Sequence, residues 1–369
     1  MPDAALVAFS GEENTVGRNP FLLSGCLKRR AGMALYRFFN KKAFESGIQE
    51  FSIASTELLR IGLPFARSSI GSLNSKYLAD YIFRICSEYG CARCFFPGAQ
   101  YGALACMEGA AGTVGYYRAE DIRPSLCKSL FIPILHELYG RAGIRLDSLD
   151  IAFVCGSDPD ELFSLVKRLE PYVKYVNIAA PDKGSLEAGL AGLCDESGLS
   201  AFVSGDFDRI LRNADLVIHL GDAELLSKYH IGRHTLVLNY SEDNRPVLRG
   251  EFPVINGLLF SFPGEVLSLF GEGIRRNYSR EELSEILLGL KAGLPARDGY
   301  GSGDDAGTAK TAEVAKIAEA ELAEAIFNAS RCRITGFAGR RSVLRPDFVR
   351  KAAGLPFHGR EDGNWHTGL

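Results

Sequence analysis

The most regular pattern in the chain is a series of short apolar runs that alternate with amphipathic segments between residues 150 and 239. Runs that are apolar at nearly every position are typical of strands whose two faces are both covered by helices. The runs predict strands at residues 150–155, 174–179, 200–203, 215–220 and 235–239. The segments between them predict helices at residues 159–169, 183–196 and 207–213. Repeated strand–helix–strand units predict a right-handed, doubly wound parallel sheet.

The same alternation extends, less regularly, through the first 147 residues. Apolar runs predict strands at residues 5–9, 49–53 and 91–96, and helical spacing predicts helices at residues 21–39, 73–88 and 126–139. A glycine-rich stretch at residues 98–115 predicts a long loop. The fold class is therefore α/β with two lobes, of which the first is the smaller and the second is the doubly wound parallel sheet.

The pattern loosens after residue 239. Residues 247–262 predict one or two strands, and Ser279 followed by Glu282 predicts a capping box on a helix at residues 280–290. Residues 295–310 predict a flexible linker, which separates this part from a helical segment at 311–353 and a polar tail at 354–369. The two predicted lobes are thus residues 1–147 and residues 148–294.

Composition and charge exclude several classes of protein. The chain has 369 residues, is 46% hydrophobic and carries a formal net charge of −3. This balance provides no bulk attraction for nucleic acid or anionic lipid. The sequence shows neither a secretory leader nor a run of about 18 apolar residues, so we expect a cytoplasmic protein.

The cysteines predict free thiols. Nine cysteines are an odd number in a chain large enough to fold without disulfides. Cys91 and Cys94 form a single C-x-x-C pair, without a second pair or histidines at zinc-ligand spacing. The pair opens a predicted strand and not a helix, which disfavours a redox site. We therefore expect reduced, buried thiols and no bound metal.

The junction after the first strand of the second lobe is a candidate anion site. Gly156 stands between a predicted strand and a predicted helix, where backbone N–H groups and the helix dipole attract anions. The G-x-G-x-x-G fingerprint is incomplete, because Asp158 and Glu161 replace its second and third glycines. With Asp160, these acids would repel a pyrophosphate. The alternative is an ordinary helix start that is capped by Ser157 or Asp158.

This series of strands and the sequence NADLVIHLGD at residues 213–222 resemble the nucleotide-binding domain of NAD(P)-dependent dehydrogenases, in style the shikimate dehydrogenase and glutamyl-tRNA reductase group. The resemblance covers about residues 148–240 and implies a Rossmann-like fold with NAD(P) as cofactor. It implies cofactor contacts by Gly156, Ser157, Asp182, His219 and Gly221. Lys183, beside Asp182, would instead favour a 2′-phosphate. The alternatives are that Asp182 caps the next helix and that His219 is a buried core residue.

A second candidate anion site precedes the predicted helix at residues 73–88. Guanidinium, hydroxyl and ammonium donors come together there, at Arg67, Ser68, Ser69 and Lys76. These groups would bind a carboxylate or phosphate of a substrate. The alternative is a serine-rich turn that caps the helix beside solvated basic residues.

The sequence thus predicts an oxidoreductase-like protein that binds NAD(P) and a small anionic substrate in the cleft between its lobes. The alternative is a non-catalytic Rossmann-like scaffold or ligand sensor that has lost cofactor binding, which the acids after Gly156 favour. Neither nucleic acid nor a membrane is an expected partner, and a homodimer is compatible with the pattern. The sequence assigns no catalytic residue.

Overall fold

The computed structural model describes residues 1–9, 37, 41–64, 75–98, 114–156, 159–222, 225–241, 250–294, 309–339 and 342–354. Its strands are β1 (Ala4–Phe9), β2 (Ile48–Ile53), β3 (Thr56–Leu63), β4 (Arg93–Phe96), β5 (Gly115–Arg118), β6 (Ile151–Val154), β7 (Tyr175–Ala179), β8 (Ser200–Ser204), β9 (Leu216–His219), β10 (Leu236–Asn239), β11 (Val254–Ile255), β12 (Gly257–Ser261), β13 (Arg333–Ala338) and β14 (Val343–Leu344). Its helices are α1 (Lys41–Glu45), α2 (Ser75–Tyr89), α3 (Ala119–Ser129), α4 (Phe131–Leu138), α5 (Pro159–Leu169), α6 (Lys183–Ser197), α7 (Phe207–Leu211), α8 (Gly264–Ser268), α9 (Gly271–Arg275), α10 (Arg280–Lys291), α11 (Ala309–Ala329) and α12 (Pro346–Ala352).

The elements form two compact units. Unit 1 comprises Met1–Leu126, Phe260–Ser302 and Leu322–Arg333, and unit 2 comprises Cys127–Leu259, Gly303–Glu321 and Ile334–Leu369. Each unit therefore combines segments that are distant in sequence, whereas the predicted domain ranges are continuous; those ranges stay a prediction. Across the residues given above, no helix is both long and apolar enough to cross a bilayer.

Unit 1 is built on a five-stranded sheet in the order β2-β3-β1-β4-β5. Its strands are parallel except for β2, which pairs antiparallel with β3 at one edge. β1 is buried at every position, as expected of a central strand. Leu78, Ile82 and Ile85 of α2 share one apolar core with Val7 and Ile61 of the sheet. These are the positions that the helical spacing in the sequence predicts.

Tyr278 joins β1 to β4 where the two strands separate. The ladder between them is short and ends with Leu6 opposite Phe95. The Tyr278 hydroxyl lies 2.9 Å from the Val7 carbonyl oxygen and 2.7 Å from the Phe95 carbonyl oxygen. The hydroxyl has one proton, so it donates to one of these carbonyl oxygens at a time, and burial raises its pKa well above the ordinary value.

Asn277 closes the end of β1 in the same way. Its Oδ1 accepts from the Phe9 N–H at 3.1 Å, and its Nδ2 donates to the Phe9 carbonyl oxygen at 3.0 Å. The same Nδ2 lies 2.8 Å from the Gly273 carbonyl oxygen. Buried backbone groups need such partners, so residues 277–278 complete a sheet whose strands lie far away in sequence.

Helices α3 and α10 approach each other closely within unit 1. A Cβ at Gly289 would lie 2.5 Å from Cγ2 of Ile122, so this position has no room for a larger residue. Beside this contact, Arg123 donates from Nε to Glu285 Oε1 at 2.7 Å and from Nη2 to Oε2 at 3.1 Å. Glu285 is fully buried. The two helices are thus held by a buried, bidentate ion pair.

Unit 2 is built on a six-stranded parallel sheet in the order β11-β10-β9-β6-β7-β8. When β6 is counted as the first strand and the sheet is read from β8 to β11, the order is 3-2-1-4-5-6, which is that of the Rossmann fold. Its strands and helices lie close to the positions that the sequence predicts. The predicted two-lobed α/β class with a doubly wound parallel sheet is therefore confirmed.

The structure corrects the sequence interpretation at two strands of unit 1. The sequence analysis predicts no strand at residues 56–63, yet β3 pairs with β1 from Ala4 opposite Leu58 to Phe9 opposite Leu63. Its apolar pattern is interrupted by Glu57, Arg60 and Gly62, so the sequence pattern does not indicate a strand there. β5 likewise begins at the last residue of the predicted loop at 98–115.

The predicted helices also need correction. The helix predicted at residues 126–139 is two helices, α3 and α4, because in a continuous helix the ring of Pro133 would clash with the carbonyl of Ser129. In α4, Pro133 lies in the first turn, where its missing N–H costs little. α11 begins at Ala309, so residues 309–310 belong to a helix and not to the predicted linker, since Ala and Lys favour helix.

The predicted capping box of Ser279 and Glu282 is confirmed. The predicted helix at 21–39 lies outside the described residues except at position 37.

A buried charged group joins α12 to α4 in unit 2. Arg350 donates from Nη1 to the Glu137 carbonyl oxygen at 2.8 Å. The Glu137 carboxylate lies 2.9 Å from Arg141 Nη1 and is 9% exposed. Burial outweighs the attraction of the two guanidinium groups and raises the pKa of Glu137 to about 7.

Replacing Glu137 with Gln should flatten the pH dependence of stability. The folded-state pKa lies above the unfolded value of 4.5, so the contribution of the Glu137 carboxyl is complete below pH 4.5 and is lost as the pH rises through about 7. A shift of this size corresponds to about 3 kcal/mol. Urea unfolding across this range should show the wild type losing stability relative to Glu137→Gln as the pH rises. Parallel pH profiles for the two proteins would contradict the assignment.

Candidate functional site

The carboxyl edge of the unit 2 sheet contains a point where the order of strands reverses. β6 and β9 are neighbours, with Val154 opposite His219, while β7 and β8 extend to one side and β10 and β11 to the other. Ligands of open α/β sheets bind outside the carboxyl ends of the strands at such a point. Gly156 follows β6 and Gly221 follows β9. A Cβ at Gly221 would lie 3.7 Å from the Cys155 carbonyl oxygen, so the two strand ends lie side by side.

One of the acidic side chains in the first turn of α5, the helix that follows Gly156, is neutralised by a lysine. Glu161, in the first turn of α5, forms an ion pair with Lys128. Arg168 on the same helix donates from Nη1 to the Lys128 carbonyl oxygen at 2.7 Å, which fixes α5 against the end of α3. The pairing offsets one of the acids that would oppose an anion here. Ser157 and Asp158, the other predicted residues of this turn, lie outside the described residues.

Asp182 caps α6. Its Oδ1 accepts from the Gly184 N–H at 3.1 Å, and the side chain is exposed. The helix-cap interpretation is therefore confirmed. The predicted contact with a ribose stays a prediction, which would use the second carboxylate oxygen. Lys183, at the first position of α6, is also exposed.

His219 lies beneath the edge and not on it. Its side chain is 0% exposed, and its Nδ1 lies 3.2 Å from Asn239 Oδ1 at the end of β10. The interpretation of His219 as a buried, hydrogen-bonded residue of the core is thus confirmed. A direct contact with a cofactor stays a prediction. Gly221 is buried above it, with its Cβ position 3.6 Å from His219 Nε2.

The residues predicted to bind a substrate belong to unit 1. Lys76 is exposed at the start of α2, one residue after Ser75. Arg67, Ser68 and Ser69 lie outside the described residues. The predicted substrate site, and with it the predicted cleft between the lobes, stays a prediction.

The sequence analysis missed the residues that form hydrogen bonds or ion pairs with the side chains near this edge. Lys128 gives no local signal, because it lies at the end of a helix that is distant in sequence from Glu161. Asn239 ends β10 and Asn256 directly follows β11, and polar residues at the carboxyl ends of strands are a recognisable signal of a site. That signal points to Asn239 as clearly as to His219.

The cysteines near β4 are buried thiols. Cys86, Cys91 and Cys94 belong to the apolar core of unit 1. Burial, followed by the neighbouring Cys86, raises the pKa of the Cys91 thiol to about 12, which makes it a poor nucleophile. Within the described ranges, no group of three or more His, Cys, Asp or Glu side chains is arranged to hold a metal ion.

No family model matches the chain, and no curated protein matches it in sequence. Aspartate transcarbamoylase from Trypanosoma cruzi is similar in structure, with 14% identity and a TM-score of 0.23 over 60% of this chain and 63% of that one. L-tryptophan dehydrogenase from Nostoc punctiforme matches with 14% identity and a TM-score of 0.26 over 96% and 87% of the two chains. A shikimate 5-dehydrogenase from Mycobacterium fortuitum matches with 14% identity and a TM-score of 0.21 over 64% and 79%.

The present chain thus covers 63% of the length of the transcarbamoylase, which is less than two thirds. Dehydrogenases and a carbamoyltransferase are both among the structures that it resembles. Similarity at this level concerns the fold alone. The assignment of unit 2 to the Rossmann-like class depends on its own strand order.

Proposed function

We propose that unit 2 binds NAD(P) across the carboxyl ends of β6 and β9 and that the protein is an oxidoreductase acting on a small anionic substrate. The observation that carries the proposal is the strand order 3-2-1-4-5-6 with Gly156 at the junction of its first strand and first helix. This junction is where the backbone N–H groups of a helix start meet a pyrophosphate.

The residues fit a dinucleotide in part. Gly156 supplies the first fingerprint glycine, and Lys128 offsets the charge of Glu161. Asp158 departs from the fingerprint, because a carboxylate stands where the backbone approaches the pyrophosphate most closely. We therefore expect weak binding.

In this proposal each predicted residue has one task. Gly156 and Ser157 contact the pyrophosphate, Asp182 contacts a ribose, and the edge formed by His219 and Gly221 borders the nicotinamide. The anionic substrate group is bound by Arg67, Ser68, Ser69 and Lys76. The cofactor, when bound, supplies hydride chemistry, and the protein orients it and excludes water.

Titration of the full-length protein with NADH and NADPH, followed by nicotinamide fluorescence, tests the proposal. Saturable binding of either cofactor would support it, and Asp158→Gly should bind more tightly because it removes a negative charge beside the pyrophosphate. No binding at millimolar cofactor, by the wild type or by Asp158→Gly, would refute it.

Replacing Lys128 with Ala should weaken cofactor binding about two- to five-fold, because it removes the positive charge that pairs with Glu161 at the start of α5. The effect should shrink at high salt. Lys167→Ala is the matched control, since it removes an exposed lysine from the last turn of the same helix. Equal losses in the two variants would show that general charge, and not the pairing of Glu161, sets the affinity.

A second candidate is a non-catalytic ligand sensor on the same scaffold. The full burial of the His219 side chain and the use of Asp182 as a helix cap favour it, because both groups already have structural tasks. A sensor would bind a ligand without turning it over. Saturable binding of a small anion, without measurable binding of NADH or NADPH, would support the sensor against the oxidoreductase.

A further inference from the structure

A series of hydrogen-bonded amide side chains runs from His219, at the end of β9, along the carboxyl ends of β10 and β11. Asn239 donates from Nδ2 to Asn256 Oδ1 at 2.9 Å, and Asn256 donates from Nδ2 to the Gly339 carbonyl oxygen at 3.2 Å. At the other end, Asn239 Oδ1 accepts from the Ser241 N–H at 3.3 Å and faces His219 Nδ1 at 3.2 Å. All of these residues belong to unit 2.

The groups at the two ends of this series of amides fix the donor and the acceptor in each of its hydrogen bonds. The Gly339 carbonyl can only accept, so the Asn256 amide must present Nδ2 to it and Oδ1 to Asn239. Asn239 must then present Nδ2 to Asn256 and Oδ1 to His219. The Ser241 N–H, which can only donate, requires the same orientation of Asn239 independently. Amide orientations that are ambiguous in isolation are thus determined here by backbone groups.

This order of donors and acceptors determines which nitrogen of the His219 imidazole carries the proton. Because Asn239 Oδ1 only accepts, His219 Nδ1 must carry a proton. We propose that Asn239 and Asn256 are positioning residues that hold His219 in its Nδ1–H tautomer, so that Nε2 is a hydrogen-bond acceptor beneath Gly221. The Cβ position of Gly221 lies 3.6 Å from Nε2 and 3.7 Å from the Cys155 carbonyl oxygen. Two acceptors thus lie under the point where β6 and β9 end.

The hydrogen bond at His219 Nδ1 bears on cofactor binding, a role that rests on the proposed function. Fixing Nδ1 also ties the end of β9 to the ends of β10 and β11. The backbone at Leu220 and Gly221 is thereby kept in place for a ligand.

Long-range nitrogen–proton NMR correlations of the imidazole rings in the full-length, unliganded protein test the tautomer directly. His219 is assigned by the loss of its signals in His219→Gln. We expect a protonated Nδ1, in the wild type and in Asn239→Asp, whose carboxylate keeps the acceptor. Asn239→Leu removes the acceptor and should give a mixture of tautomers. A single Nε2–H tautomer in the wild type would overturn the inference.

Cofactor affinity supplies the second readout. Asn239→Leu should bind NADH about three- to ten-fold more weakly than the wild type, by the loss of one buried hydrogen bond that positions the edge. An unchanged tautomer and affinity in this variant would refute a positioning role. If Asn239→Leu fails to fold, the wild-type tautomer and Asn239→Asp still decide. A wild type that shows Nδ1–H but binds neither NADH nor NADPH would refute the proposed function while supporting the tautomer assignment.

Discussion

Replacing Arg123 with Ala is expected to lower the free energy of unfolding by about 3–5 kcal/mol, because it leaves the carboxylate of Glu285 buried without its bidentate partner. The pair is held at 2.7 Å and 3.1 Å, and Glu285 is 0% exposed. A carboxylate that cannot reach water must either lose its charge or open the contact between α3 and α10. Both routes cost far more than the loss of an exposed ion pair.

Chemical unfolding monitored by circular dichroism measures this effect. Arg84→Ala is the control, because Arg84 pairs with Glu88 on the surface of α2 and its loss should cost less than about 1 kcal/mol. Replacing Arg123 and Glu285 together with Met should recover much of the stability, since the desolvated charge is then removed. An Arg123→Ala protein as stable as the Arg84→Ala control would show that the pair is dispensable.

Asn277→Ala is expected to cost about 2–6 kcal/mol, because it leaves two buried backbone groups of Phe9 without a partner, at about 1–3 kcal/mol each. Asn277 is 7% exposed and Phe9 is 4% exposed, so water cannot easily replace the amide. Asp in place of Asn keeps an acceptor for the Phe9 N–H but places a buried carboxylate oxygen against the carbonyl oxygens of Phe9 and Gly273, so it should cost at least as much as Ala.

A large loss of stability in both Asn277→Ala and Asn277→Asp is the signature of this arrangement, and thermal unfolding measures it. Asn256→Ala, in unit 2, provides a comparison in which one side-chain amide is lost without the end of β1 being affected. If Asn277→Ala unfolds at the wild-type temperature, the end of β1 is satisfied in another way.

The sequence predicts the strand series of unit 2 well because those strands are buried on both faces and read as continuous apolar runs. It fails at β3, where Arg60 and Gly62 interrupt the pattern, because pairing with β1 overrides local preference. It also fails at residues 126–139, where the position of Pro133 relative to the carbonyl of Ser129 decides between one helix and two.

The candidate site was predictable to a similar extent. Gly156 and Gly221 were placed at the correct edge because strand ends can be read from the sequence. The pairing of Lys128 with Glu161 and the contact of His219 with Asn239 were not, because they join side chains from elements whose neighbourhood only the fold creates. The pairing with Lys128 offsets the charge of one of the acids after Gly156.

Tyr278 and Asn277 also bear on the timing of folding. During synthesis, β1 and β4 leave the ribosome long before residues 277–278, with the whole Rossmann-like sheet of unit 2 made in between. Closing so long a loop is slow, and strand ends that wait for it are exposed to wrong partners. The nascent N-terminal strands therefore reach their final form only after the six-stranded sheet of unit 2 has been synthesised.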